Sequence, residues 1–215
     1  MSISANQLEG YVSLSELDYN AEVAEARRPD HPVHPLILNR WSPRSYEDRS
    51  VSDEVLFTVL EAARWAPSSG NVQPWRFYVA RTAEEHAAFD KFLKPRNRQW
   101  ATKAPVLLLL ASVKVRDNGD PNGAHAFDAG AAWATLAFQA RLLGLSTRAI
   151  GGFDHDIARE TLQTSDDLAL HAVIALGYKG EAGSLDDAFR EQEKPNGRRP
   201  LADSILPVKT DGLID

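Results

Sequence analysis

An amphipathic helix that runs into a proline sets the plan of this chain. From Ser52 onward, Val55, Leu56, Val59, Leu60 and Ala63 recur at helical spacing, and Asp53 and Glu54 sit where they favour the dipole of the first turn. Pro67 lacks an N–H and clashes with the preceding turn, so the helix must stop there. Ser68-Ser69-Gly70-Asn71-Val72-Gln73-Pro74 then forms a polar loop, and Trp75-Arg76-Phe77-Tyr78-Val79-Ala80 has the aromatic and branched content of a strand. Gln73 to Trp75 turn the chain back into that strand, with Trp75 packing in the core. A loop of small hydroxyls, amides and a glycine suits the hydrogen-bonding rim of a flat heterocycle. A metal or a phosphate would instead draw carboxylates, histidines or a basic glycine loop.

At 215 residues the chain is one domain of ordinary size, read as an N-terminal extension over 1–35 and a folded body over 36–215. In the extension, Ser13-Leu14-Ser15-Glu16 resembles a capping box ahead of a weak helix through Ala24 to Arg27, and Pro29, Pro32 and Pro35 then hold the chain extended. It reads as a flexible arm or as an arm packed on a partner subunit. A net charge of −6, from 24 basic and 30 acidic residues, argues against a nucleic-acid coat or a membrane-surface protein. With no cysteine there is no disulfide, thiol nucleophile or thiolate metal site, which fits a cytoplasmic protein. The longest apolar run, Ala104 to Ala111, is far shorter than the ~20 residues that span a bilayer, so a soluble protein is expected.

The remaining elements follow from pattern. Thr82 to Lys94 reads as a surface helix ended by Pro95; Ala104 to Ala111 as a strand buried on both faces; Ser112 to Ala124 as a short loop. Ala126 to Leu143 is apolar almost all round, which predicts a helix buried on most sides, ended by Gly144. Leu145 to Phe153 reads as a strand and turn, Asp156 to Leu162 as a helix, His171 to Tyr178 as a strand, and Asp186 to Lys194 as a charged, solvated stretch. Arg40 and Arg44, four apart with Ser42 between them, share one face if that segment is helical; taken alone, they are better explained as a solvated face with a helix cap. Taken alone, Gly151-Gly152 is a plain turn and Asn97 a loop residue.

Taken together, Arg40-Trp41-Ser42-Pro43-Arg44-Ser45-Tyr46 and the later Pro67-Ser68-Ser69-Gly70-Asn71-Val72-Gln73-Pro74-Trp75 resemble the paired R-x-S-x-R-x-[FY] and PSSxNxQPW elements of the nitroreductase family, over about Leu38 to Leu206. That resemblance implies an α+β fold, with a small mixed, mostly antiparallel sheet flanked by helices in an intertwined homodimer. It implies bound FMN at the dimer interface, NAD(P)H as a transient electron donor, and a nitroaromatic, quinone or related acceptor. It assigns Arg40, Trp41 and Ser42 to the FMN phosphate and ribityl end, and Arg44 to the N1 and O2 edge, where a guanidinium stabilises the anionic reduced flavin. Pro67, Ser68, Ser69 and Asn71 are assigned to the other subunit's cofactor, and Asn97 to the pyrimidine edge. The backbone of Ile150, Gly151 and Gly152 is assigned to the ring near N5, and Arg198 or Arg199, in a closing R-x-P-L element, to the phosphate. No side chain is given a catalytic role, since the flavin carries the chemistry while Arg44 and the Gly151-Gly152 backbone tune it.

The sequence departs from the pattern in two places. Some relatives carry a lysine at the position of Trp100, a part that Arg98 or Lys103 would have to play here, with Trp100 free to line the substrate side. The loop at Ser112 to Ala124 is too short for the helical lid that several relatives insert, which implies an open, permissive acceptor site.

Rival chemistries find little support. No G-x-S-x-G elbow is present for a serine hydrolase, and His31, His34, His86, His125, His155 and His171 are scattered without metal-ligand spacing. The absence of G-x-G-x-x-G argues against a permanently held dinucleotide, so NAD(P)H is expected to visit the flavin and leave before the acceptor uses the same face, in ping-pong order. A specialised flavin dehydrogenase of the same family, or a non-catalytic flavin carrier or sensor, is the alternative reading.

Overall fold

The computed structural model describes residues 19–208. Its helices are α1 (Ala21–Ala26), α2 (Pro35–Asn39), α3 (Asp53–Arg64), α4 (Ala83–Phe92), α5 (Pro95–Ala101), α6 (His125–Leu142), α7 (His155–Leu162) and α8 (Asp187–Arg190). Its strands are β1 (Trp75–Ala80), β2 (Val106–Val113), β3 (Leu145–Ile150) and β4 (Leu168–Tyr178). The strands form one sheet in the order β1-β2-β4-β3, antiparallel at every pairing, with a register shift between Leu110 and Ala111. The fold is therefore α+β as expected, with no parallel pair among the described strands.

Strand periodicity builds the two-sided core. Leu107, Leu109 and Ala111 of β2 point to one face, where Phe89, Phe92, Trp100 and Phe153 pack with Val173 and Ala175 of β4. Val106, Leu108 and Leu110 point to the other, against Leu56 and Val59 of α3, Leu136 and Ala140 of α6, and Ile174 and Leu176 of β4. A strand with helices over both faces has no solvent side, which is why β2 reads as an unbroken apolar run. Trp75 is buried in the second of these cores.

Helix ends obey local chemistry. Ser52 Oγ accepts from Val55 N at the start of α3, and Thr82 and Glu85 close a capping box on α4. Gly144 takes a φ of +74° where α6 ends. Pro95, expected only as a stop, also opens α5: it occupies the first helical turn, where its missing N–H costs nothing, and so places Asn97 on a helix rather than in a loop. The segment from Arg40 to Tyr46 is not helical; it runs extended out of α2, and Tyr46 forms an isolated bridge with Lys179. Leu168 to Leu170 lengthen the last strand beyond its expected start.

The described part of the extension is not a free arm but packs on its own chain. Val23 is fully buried, Trp41 Nε1 donates to Glu22 Oε1 (3.1 Å), Lys179 Nζ pairs with Glu22 Oε2 (2.9 Å), and Asn20 N donates to Asn39 Oδ1 (3.0 Å). These contacts hold α1 on its own chain, beside residues 39–41. The capping box expected at Ser13 to Glu16 lies outside the described residues.

Candidate functional site

A cleft of about 740 Å³ opens beside the β3 edge of the sheet, lined among others by Arg27, Arg40, Trp41, Ser42, Arg44, Arg148, Lys194 and Arg198. Four separate stretches of chain bring these cations together: the end of α1, the extended segment after α2, β3, and the loop after α8. Glu193 fixes the second of these stretches. Its carboxylate accepts from Arg44 N (2.8 and 3.0 Å), Ser45 N (2.8 Å) and Ser45 Oγ (2.7 Å), and Ser45 lies buried. Gly180 lets the chain leaving β4 pass close against the same segment, since a Cβ there would stand 2.7 Å from the carbonyl of Tyr46.

The guanidinium groups of the cleft lack carboxylates to match them. Burial lowers the pKa of Arg40, and Arg198 lowers it further. Arg148 is lowered chiefly by burial and then by Arg44, with Glu193 acting the other way. Arg44 is lowered by burial, held up by Glu193 and lowered again by Arg96; its guanidinium lies 5.6 Å from the centre of the Phe189 ring. Among the described residues none of Arg40, Arg44, Arg148 and Arg198 forms a salt bridge. Crowded, half-desolvated and unneutralised cations around a concavity are a site for an anionic ligand.

The sequence-named residues divide between this cleft and the far edge of the sheet. Arg40, Trp41, Ser42, Arg44 and Arg198 line the cleft; Arg199 is exposed and is not part of its lining. Ile150 is buried at the end of β3, one residue beyond the cleft-lining Ala149, and Gly151 and Gly152 follow it. Asn97 and Gly152 meet: Asn97 Nδ2 donates to Gly152 O (3.0 Å), and a Cβ at Gly152 would lie 2.3 Å from that nitrogen, so only glycine permits the contact. Pro67, Ser68, Ser69 and Asn71 lie instead beyond β1, with β2 and β4 between them and β3. In one chain the cationic cleft and the polar loop do not meet.

That loop is built with care of its own. Gly70, Asn71 and Gln73 all take left-handed backbone angles, with φ of +59°, +57° and +51°. Ser68 Oγ accepts from Gln73 N (3.0 Å), and Gln73 Nε2 donates to Asn71 O (2.9 Å). Asp128, 2% exposed on α6, accepts from Ser69 N at 3.2 and 3.3 Å. The segment after β2 is a tight turn, with Val115 bridged to Pro121 and Arg116 N donating to Asp120 O (2.8 Å); its Arg116 guanidinium lies close to Gly70. Among the described residues no helix lies between Val113 and His125, where a lid would be inserted.

Neither proposed substitute for the missing lysine reaches the cleft. Arg98 Nη2 donates to Leu93 O and Lys103 Nζ to Ser184 O. Trp100 is almost fully buried and is not part of the cleft lining; the guanidinium of the cleft-lining Arg148 stands 5.4 Å from its ring centre. Sequence reading missed Arg27, Arg148, Glu193 and Asp128. A lone charge inside an otherwise apolar pattern was the available signal for Arg148 and Asp128; Glu193 and Arg27 carry none, because charged neighbours surround both. The histidines are not all scattered either: Ser112 Oγ sits between His125 Nδ1 (2.8 Å) and His171 Nε2 (2.6 Å). Among the described residues no helix is long and apolar enough to cross a membrane.

The chain is similar to known proteins over most of its length. The profile of the Nitroreductase family matches residues 37–95 and 87–178. An NADH dehydrogenase of Thermus thermophilus is 30% identical over an alignment that covers 85% of this chain and 98% of that one. A crystal structure described as an oxidoreductase containing FMN is 40% identical, with a TM-score of 0.82 over 86% of this chain and 96% of that one. A nitroreductase family protein of Clostridium difficile is 28% identical, with a TM-score of 0.63 over 83% of this chain and 97% of that one.

Proposed function

The chain belongs to the nitroreductase family, and on that footing we propose that it is an FMN-dependent oxidoreductase that draws reducing equivalents from NAD(P)H and delivers them to a nitroaromatic, quinone or related small acceptor. The observation that carries this reading is the cleft, whose surplus of guanidinium groups fits a phosphorylated, anion-forming cofactor. When bound, FMN supplies the hydride chemistry. Everything else falls to the protein. Arg40, Ser42 and Arg198 hold the phosphate and ribityl end, and Arg44 presents positive charge to the ring edge that becomes anionic on reduction. Gly151 and Gly152 offer bare backbone beside the ring, with Asn97 bracing Gly152 from behind.

The polar loop at Pro67, Ser68, Ser69 and Asn71 reaches the cofactor of a second subunit, which makes the working form a homodimer with two shared sites. Support comes from the separation of loop and cleft across the sheet, and from the apolar side chains bare on the α3–α6 face: Phe57 (58% exposed), Trp65 (72%) and Phe127 (84%). With only a tight turn after β2, donor and acceptor use one opening in succession, so turnover alternates between them and a range of acceptors fits.

Purified protein should be yellow, sediment as a dimer and lose its flavin colour on adding NADH or NADPH. Arg44→Ala should slow that bleaching by about 10²–10³-fold. Steady-state turnover over a panel of nitro, quinone and enone acceptors should give parallel double-reciprocal lines. Protein that remains colourless after reconstitution with FMN rejects the reading.

A further inference from the structure

The cleft contains an arginine from outside the family-matched region. Arg27 follows α1, ten residues before the match begins at residue 37, and lines the cleft with Arg40 and Arg198. Its side chain ties the two walls together: Nη1 donates to Leu38 O and to Arg40 O (2.9 Å), and Nε donates to Asn196 O (3.1 Å). Next to it the end of α1 packs on the same wall, where a Cβ at Gly197 would lie 3.5 Å from Ala26 O.

We propose that Arg27 is a third arginine of the phosphate end of the cleft, a positioning and binding residue that makes the site select a phosphomonoester such as FMN over the unphosphorylated flavin. This rests on the flavin reading above.

Two independent features carry the inference. The first is charge. Among the described residues neither Arg27, Arg40 nor Arg198 forms a salt bridge with a carboxylate, and the neighbours that act electrostatically on Arg27 are Arg198 and Arg40, both repulsive. Gathering three guanidinium groups costs free energy, and a phosphate dianion reverses the sign of that cost. The second is redundancy in the anchoring of α1. The Glu22 bonds to Trp41 and Lys179, the bond from Asn20 to Asn39, and the burial of Val23 fix the helix without help from Arg27. The helix is therefore anchored without Arg27, whose side chain is left to the two walls of the cleft that it lines.

Flavin-stripped full-length protein, titrated with FMN and separately with riboflavin by fluorescence quenching at low and moderate salt, tests this. Arg27→Gln should weaken FMN binding about tenfold or more, leave riboflavin within about twofold, and flatten the salt dependence of FMN binding. Arg27→Lys should restore part of the loss. Riboflavin binding doubles as the control for folding. Equal weakening of both flavins would reduce Arg27 to a wall fastener and overturn the proposal, as would no change in either. A wild type that binds neither flavin overturns the flavin reading itself, and this inference with it.

Discussion

The two edges of the sheet hold opposite kinds of half-site. Beside β3 the surface is concave and cationic, assembled from Arg27, Arg40, Arg44, Arg148, Lys194 and Arg198, which come from four distant stretches of sequence. Beyond β1 the surface is an uncharged loop, local in sequence, with left-handed angles at Gly70, Asn71 and Gln73 and right-handed Val72 between the last two. Yet each is held by one carboxylate that accepts backbone N–H groups: Glu193 for the segment of Arg44 and Ser45, Asp128 for Ser69. The difference lies in solvent. Asp128 is dry and fastens to α6 a loop that also braces itself, whereas Glu193 is half-exposed among cations.

The largest effect expected is on the cleft's foundation. Gly180→Val puts two methyl groups and a Cβ where backbone of Tyr46 already stands at 2.7 Å, and should cost about 3 kcal/mol or more in urea unfolding. A near-neutral result would mean that the Arg40 to Tyr46 segment moves freely, and the contrast between a built cleft and a strained loop would fail.

That dependence on Gly180 also marks where the sequence stops speaking. Elements set by local pattern were legible: the cap at Ser52, the stop before Pro67, the two-faced burial of β2 and the apolar helix α6. So were the motif residues that line the cleft, from Arg40 to Arg44, because they lie within a few positions of one another. Missed elements turned on which of two valid local rules tertiary packing would select, as with Pro95 opening α5 as well as closing α4. Residues reaching the site from afar were invisible for a different reason. Arg27 and Glu193 sit in charged surroundings and acquire meaning only when a chain separation of 169 residues, for Arg27 and Asn196, closes to one hydrogen bond.

Next in size is the anchor of the polar loop. Asp128→Ala takes from Ser69 N its carboxylate partner and empties a buried position on α6, and should cost about 2 kcal/mol, while Asp128→Asn, which can still accept, should cost clearly less. Amide exchange at Ser69 provides the local reading. If the exchange rate is unchanged in the alanine variant, the loop is held by its own turns and not by α6.

Glu193→Ala should be milder in stability, about 1–2 kcal/mol, because water reaches the freed Arg44 and Ser45 groups. Its sharper consequence is in the cleft, where it removes the nearest negative charge from Arg44 and Arg148. The variant should therefore lose stability yet hold inorganic phosphate or FMN no less tightly relative to its folded fraction. Asp128→Ala, on the other edge, should leave anion binding by the cleft unaltered within one chain.

The smallest effect is one of pH, and it too separates the edges. Ser112, paired with Trp75 at the loop end of β1, bridges His125 and His171, whose rings lie 6.0 Å apart. One hydroxyl can donate to only one of the two nitrogens, so a second protonated ring leaves the bridge with a donor too many. Burial lowers the pKa of His171 from its ordinary 6.5, and His125 and then His155 lower it further. The unfolded chain therefore binds more protons than the folded one just below pH 6.5, and stability must rise with pH through that window and be lost as pH falls. His171→Gln should flatten the melting temperature between pH 5 and 7, about the range over which an ordinary histidine titrates. A slope that survives the substitution would place the titrating group elsewhere. A slope of opposite sign would mean that the folded protein holds the ring charged, against the direction that burial sets for it.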